Sequence, residues 1–148
     1  MFFLAPATAG AKFFVRPIFG LTVPITGGDS AWAAGAALGY GFTNSLSVET
    51  SYTRLIAMDN GFDNNLIQFT GTYSFFLPGI TPFIRGGGGF YKMSVPGTDT
   101  DFEGMIEIGG GIVLTFIPVL DIGAGLSYLI MLDSKDLIFP NLYVGLSF

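Results

Sequence analysis

The sequence predicts an all-β fold: an eight-stranded antiparallel up-and-down transmembrane β-barrel, with short turns at one rim and modest loops at the other. Three observations predict it. Apolar and small-or-polar residues alternate along eight segments separated by turn residues, the period-two pattern of strands with two different faces. Half of the 148 residues are hydrophobic and 11% are charged, against roughly 25% in soluble domains, and the mean hydropathy is +0.60. Yet no run of about 20 apolar residues is free of charges and breakers, as a membrane helix requires. The nearest, Ile108 to Leu132, is interrupted by Pro118 and Asp121. The 22 glycines and 16 phenylalanines also suit twisted strands better than helices.

The first segment runs from about Lys12 to Val23, with Phe13, Val15, Pro17, Phe19, Leu21 and Val23 outward and Phe14, Arg16, Ile18, Gly20 and Thr22 inward. The second, Ala31 to Phe42, sets Trp32, Leu38, Tyr40 and Phe42 against Ala33, Gly35, Ala37 and Gly39. The third, Leu46 to Ala57, alternates Leu46, Val48, Thr50 and Tyr52 with Ser47, Glu49, Ser51 and Thr53. The fourth, Leu66 to Phe76, puts Ile67, Phe69, Tyr73 and Phe75 out and Gln68, Thr70 and Thr72 in. In the fifth, Thr81 to Ser94, Gly86 to Gly89 erase the pattern, and Arg85 sets the inward phase. The sixth, Phe102 to Phe116, turns Ile106, Ile108, Ile112, Leu114 and Phe116 outward and Glu107, Gly109, Gly111 and Thr115 inward. The seventh, Leu120 to Leu132, alternates Ile122, Leu126, Tyr128 and Ile130 with Asp121, Gly123, Gly125 and Ser127. The eighth, from about Leu137, ends with Leu142, Val144, Leu146 and Phe148 facing one way and Asn141, Tyr143, Gly145 and Ser147 the other.

These lengths fit the roughly 9–11 residues of a tilted membrane strand. Connections alternate too: tight at Asn44-Ser45, Pro78-Gly79 and 117–119, longer and polar at Pro24–Ser30, Asp59–Asn65, Pro96–Asp101 and Asp133–Asp136. Pro17 and Pro140 fall in the two strands that must close the barrel. Each lacks an N–H, so a bulge or missing bonds is expected at that seam, an open sheet being the alternative. Residues 1–11, with Ala5-Pro6-Ala7 and Ala7-Thr8-Ala9, are expected to be a lead-in or signal remnant, and 12–148 the barrel.

Eight strands, alternating loop lengths, the Gly-rich fifth strand Thr81-Pro-Phe-Ile-Arg-Gly-Gly-Gly-Gly-Phe-Tyr91 and the terminal Phe148 together resemble the small OmpA-type outer-membrane β-barrel family. The resemblance covers nearly the whole chain. It implies a bacterial outer-membrane location, and it implies that Tyr143, Leu146 and Phe148 form the C-terminal signal read by the barrel-assembly machinery. On this reading the chain is expected to differ from the larger members in its very short outer loops and in lacking an appended cell-wall-binding domain.

Inward charges carry the sharpest pattern. Arg16, Glu49, Arg85 and Asp121 lie on strands one, three, five and seven with alternating sign, and Glu107 adds an acid on strand six. Charges inside a narrow barrel persist only if paired and hydrogen-bonded, so an ionic plug across the lumen is expected. The plainer reading is that these groups fill the lumen and set strand register; a gated pore on the same network is the other. Trp32, Tyr52, Phe90 and Tyr128 toward the outer ends, and Tyr40, Phe42, Phe75 and Phe116 toward the inner ends, are expected to form two interfacial belts.

Seven of the eleven acids, Asp29, Asp59, Asp63, Asp99, Asp101, Asp133 and Asp136, are in the expected outer loops. They suggest a solvated repulsive surface, or divalent bridging to lipopolysaccharide phosphates; Asp59-Asn60-Gly61 and Asp99-Thr100-Asp101 fall short of a calcium loop. Gly86–Gly89 lacks the lysine and hydroxyl of a phosphate loop. The chain has no His and no Cys, which removes the usual base, thiolate nucleophile and commonest metal ligands. No cofactor or metal site is expected, and the net charge of −5 disfavours nucleic acid. The expected function is a non-enzymatic structural, scaffold or interaction barrel. Its partners would be outer-membrane lipid, lipopolysaccharide, the assembly machinery and other envelope proteins. The alternative is a small pore or lateral-diffusion channel for small or apolar molecules.

Overall fold

The computed structural model describes residues 12–56, 63–94, 97, 99–117 and 119–148. The lead-in expected at 1–11, the Asp59-Asn60-Gly61 turn, Pro96 and Pro118 lie outside them. Eight strands follow one another: β1 (Lys12–Pro24), β2 (Ala31–Gly41), β3 (Leu46–Ile56), β4 (Asp63–Ser74), β5 (Thr81–Ser94), β6 (Asp101–Ile117), β7 (Leu120–Met131) and β8 (Leu137–Ser147). Each pairs antiparallel with its sequence neighbours, and β1 pairs with β8, so the sheet closes. Closure leaves no edge of unpaired N–H and C=O groups.

Every strand carries large apolar side chains on its outer face, from Phe13 and Phe19 on β1 to Leu142 and Leu146 on β8. Phe148, with 78% of its surface free, is the extreme. An apolar belt running around the whole barrel far exceeds the few hundred Å² that soluble monomers tolerate.

The lumen is layered, which the period-two pattern alone did not reveal. Toward the rim of the longer loops it is filled by Leu55, Leu66, Met105, Leu129, Met131 and Phe139, all buried. Ionic and amide groups occupy the middle, and Phe83, Tyr143 and Phe14 lie toward the rim of tight turns. The expectation of a lumen of small and polar residues therefore holds for the middle and fails toward both rims, where buried Leu, Met and aromatic side chains fill it. At the loop rim Leu and Met recur at inward positions because the space below the loops must be filled by volume.

Two aromatic rings use glycine as a seat. Tyr143 on β8 lies over its register partner Gly123, and Phe14 on β1 over its partner Gly39. A Cβ at either glycine would overlap the ring.

The seam differs from expectation in detail. The β1–β8 register is constant from Phe14↔Ser147 to Pro24↔Leu137, so neither proline causes a bulge. Pairing instead lapses around Arg16–Pro17 and Leu21–Thr22, the latter opposite Phe139–Pro140, where an N–H is missing. The bulge lies between Thr115 and Ile117 at the tight-turn end of β6. The third loop is shorter than expected, because β4 begins at Asp63: Asn64 and Asn65 read as turn residues, yet they pair with Leu55 and Arg54. Asp101 likewise belongs to β6.

Gly123→Val and Gly39→Val should each cost about 1–3 kcal/mol through overpacking. Gly71→Val, whose added Cβ would approach nothing nearer than 3.9 Å, should be close to neutral. Urea unfolding in a micelle or bilayer distinguishes the two classes.

Candidate functional site

The central lumen is built from side chains of seven strands. Arg16 (β1) donates from Nη1 to Glu49 Oε2 (β3) at 3.0 Å. Arg85 (β5) donates from Nη1 to Glu49 Oε1 at 3.3 Å, and its Nη2 stands 2.8 Å from Glu107 Oε1 (β6). Thus Arg85 bridges two carboxylates, and Glu49 bridges two guanidiniums. Glu107, 1% exposed, also accepts from Ser127 Oγ and Gln68 Nε2, both at 2.6 Å. Gln68 in turn accepts from Ser51 Oγ at 3.1 Å, and Ser127 Oγ accepts from Arg85 Nη2 at 2.8 Å. Both oxygens of both carboxylates are satisfied, which offsets the cost of burying four ions.

Local backbone makes this possible. Gly109 is the register partner of both Arg85 and Ser127. A Cβ there would sit 2.8 Å from Ser127 Oγ, so glycine lets the two neighbours meet. Arg16 is held from two sides by rings, its Cζ 4.1 Å from the Phe14 centroid and 4.8 Å from that of Tyr143, a cation–π arrangement.

Of the five inward charges singled out by sequence, Arg16, Glu49, Arg85 and Glu107 come together. Asp121 stands apart at the tight-turn end, accepting from Thr115 Oγ1 at 3.0 Å. It faces Arg16 Nε across the space a side chain at Gly145 would fill, and no ion pair joins them among the described residues. The alternation turns Gln68, Ser51 and Ser127 inward, but nothing in their spacing marks Gln68 and Ser127 as partners of Glu107, or Ser51 as the partner of Gln68. Only the β3–β4–β6–β7 closure does.

On the outer face Trp32, Phe42, Tyr52, Phe75, Phe90 and Phe116 are exposed. Tyr40 is half-buried between Phe13 and Phe42, with centroids at 4.9 and 5.1 Å. Tyr52 donates to Asn65 Oδ1 at 2.8 Å and Tyr128 to Asp136 Oδ2 at 2.7 Å, so two outer-belt hydroxyls are anchored. Leu146 and Phe148 face outward, whereas Tyr143 is buried in the lumen. Among the loop acids, Asp136 also accepts from Met131 N, while Asp99 and Asp101 are exposed. Glu103 accepts from Asp133 N and Ser134 N, both at 2.6 Å, and braces the β7–β8 loop.

No protein-family model and no curated protein sequence matches the chain. Solved structures do match. The N-terminal β-barrel domain of Pseudomonas aeruginosa OprF superposes with a TM-score of 0.74 at 19% identity, over 93% of this chain and 97% of that one. The fold is that of the small eight-stranded outer-membrane β-barrels. Neisserial surface protein A shares it at a TM-score of 0.69 and 17% identity, over 93% and 97% of the two chains. The outer-membrane enzyme PagL shares it at 0.59 and 16%, over 90% and 98%. At such identities the likeness establishes architecture and no activity.

Replacing Glu49 by Ala should destabilise the barrel by about 3–5 kcal/mol, because it leaves two buried guanidiniums short of a counter-ion. Ser51→Ala, which removes one neutral hydrogen bond, should cost about 1 kcal/mol. Equilibrium unfolding checks the ratio.

Proposed function

We propose that this protein is a non-enzymatic barrel of a bacterial outer membrane, a structural scaffold or interaction protein whose lumen is closed to ions. The observation that carries this reading is the filled lumen. A neutralised Arg–Glu–Arg–Glu chain crosses the middle, and buried Leu66, Leu129 and Phe139 stop the loop-side half. The apolar outer wall is suited to acyl chains and the aromatic rows to the two interfaces. Leu146 and Phe148 face outward, where an assembly machinery has access to them. Without His or Cys, and with its buried carboxylates already bonded on both oxygens, the lumen offers no ready nucleophile–base pair.

A second reading, lateral passage of apolar molecules, has one observation in its favour. A hollow of about 360 Å³ lies against the β7–β8–β1 wall beside Leu21 and Pro140, where pairing lapses. Buried Phe139 and Asn141 stand at the same seam and favour the closed reading.

In planar bilayers the wild-type barrel should show no steady ionic conductance, whereas Arg85→Ala combined with Glu107→Ala should open a measurable leak. Stable open channels in the wild type would overturn the closed-lumen reading.

A further inference from the structure

Above the buried Leu66 and Leu129 that stop the lumen, its loop-side mouth holds a hollow of about 350 Å³. Tyr91 and Met93 of β5 border it on one side. Pro24 of β1 and Leu137 of β8, register partners at the seam, border it on the other. In the closed sheet β5 stands opposite β1, so the hollow joins them across the barrel's interior and not along its outer wall. Its floor is continuous with the core. Tyr91 pairs with Leu66, Leu137 pairs with Leu129, and Met131, which also borders the hollow, is 6% exposed.

The upper walls are two loops held in place by their own bonds. In the β7–β8 loop, Glu103 accepts from Asp133 N and Ser134 N, and Asp136 accepts from Met131 N. Two bonds join this loop to the β1–β2 loop: Ile25 N donates to Asp136 O at 3.1 Å, and Lys135 Nζ donates to Gly27 O at 2.8 Å. Gly27 and Gly28, with φ of +87° and +143°, turn the β1–β2 loop through conformations that would strain an L side chain. The cup is therefore preformed, as small-molecule sites usually are.

Its lining selects the ligand. Lys135 is the charged residue that borders the hollow among the described residues. It is exposed, its bond to Gly27 uses one of three N–H donors, and no carboxylate pairs with it among the described residues. Ser134 sets a hydroxyl beside it. Below them lie Met93, Met131, Leu137 and Pro24, an apolar surface whose two thioethers adapt to a flexible guest. At the ~30 Å³ that a water-sized group occupies in a liquid, 350 Å³ takes about a dozen non-hydrogen atoms.

We propose that the loop-side mouth is a binding cup for a medium-chain carboxylate, whose head meets the Lys135 ammonium and the Ser134 hydroxyl and whose chain lies on Met93, Met131 and Leu137. This goes beyond the closed-lumen reading and needs from it the apolar stop beneath the cup.

Methionine methyl groups read the cup directly. The barrel, labelled with carbon-13 at its methionine methyls, is placed in lipid nanodiscs and titrated with decanoate, decanol or decyltrimethylammonium at a pH where the acid is ionised. Decanoate should shift the Met93 and Met131 signals along a saturating curve, with Met105, which does not border the hollow, moving less. Decanol should bind about tenfold more weakly, for want of the charge-assisted bond. Lys135→Gln should bring decanoate down to the level of decanol and leave the decanol curve unchanged, which also shows that the variant is folded; Lys135→Arg should retain decanoate. Shifts that rise without saturating, a glutamine variant that binds decanoate as the wild type does, or decyltrimethylammonium bound as tightly as decanoate would overturn the cup. Steady conductance of the wild type would overturn the closed lumen instead and leave these shifts in place.

Discussion

Closure of the hydrogen-bonded ladder is the condition on which everything else in this barrel depends. In acyl chains no solvent can satisfy a strand edge, so β1 must find β8. Here it does so despite a proline on each partner. The register runs unbroken past both, and only local pairs are forfeited. The losses fall where the neighbouring strands can bear them: Pro17 still lies opposite Ala36 of β2, and Pro140 opposite Leu126 of β7.

Closing only eight strands makes the interior narrow, and narrowness dictates its contents. Bulky inward groups cannot coexist with a water column. Arginine is the residue that solves this in the middle layer, because one planar fork can serve two acceptors at once. Arg85 does so between Glu49 and Glu107, while glycine at 109 removes the bulk that would separate it from Ser127. Where no ion needs a partner, volume alone has to be matched, and Leu, Met and Phe take over.

Much of this was legible in the residues. The alternation in β1, β2, β3, β7 and β8 is regular enough to assign faces one by one, and Arg85 correctly phases β5 through four glycines that carry no pattern. The start of β4 was not legible. Asn64 and Asn65 are turn formers by propensity, and what holds them in a strand is tertiary: Arg54 and Leu55 opposite, and the Tyr52 hydroxyl. The position of the bulge was hidden for a related reason. Proline announces a lost N–H but not whether the ladder slips or merely skips. Candidate inward charges could be named, but their partners could not, since pairing across a lumen depends on strand tilt. That is why Glu107 and Arg85, on adjacent strands, meet directly while Asp121 is left to Thr115.

A scaffold shared with a domain of OprF and with the enzyme PagL cannot by itself say what the chain does. Its individuality must lie in what other barrels need not share. The lumen is a poor place to look, because any eight-stranded closure demands that it be filled. The wall is more telling. Lipid-facing positions are under one common pressure, to be apolar, and a residue that defies it has to be explained by something it touches.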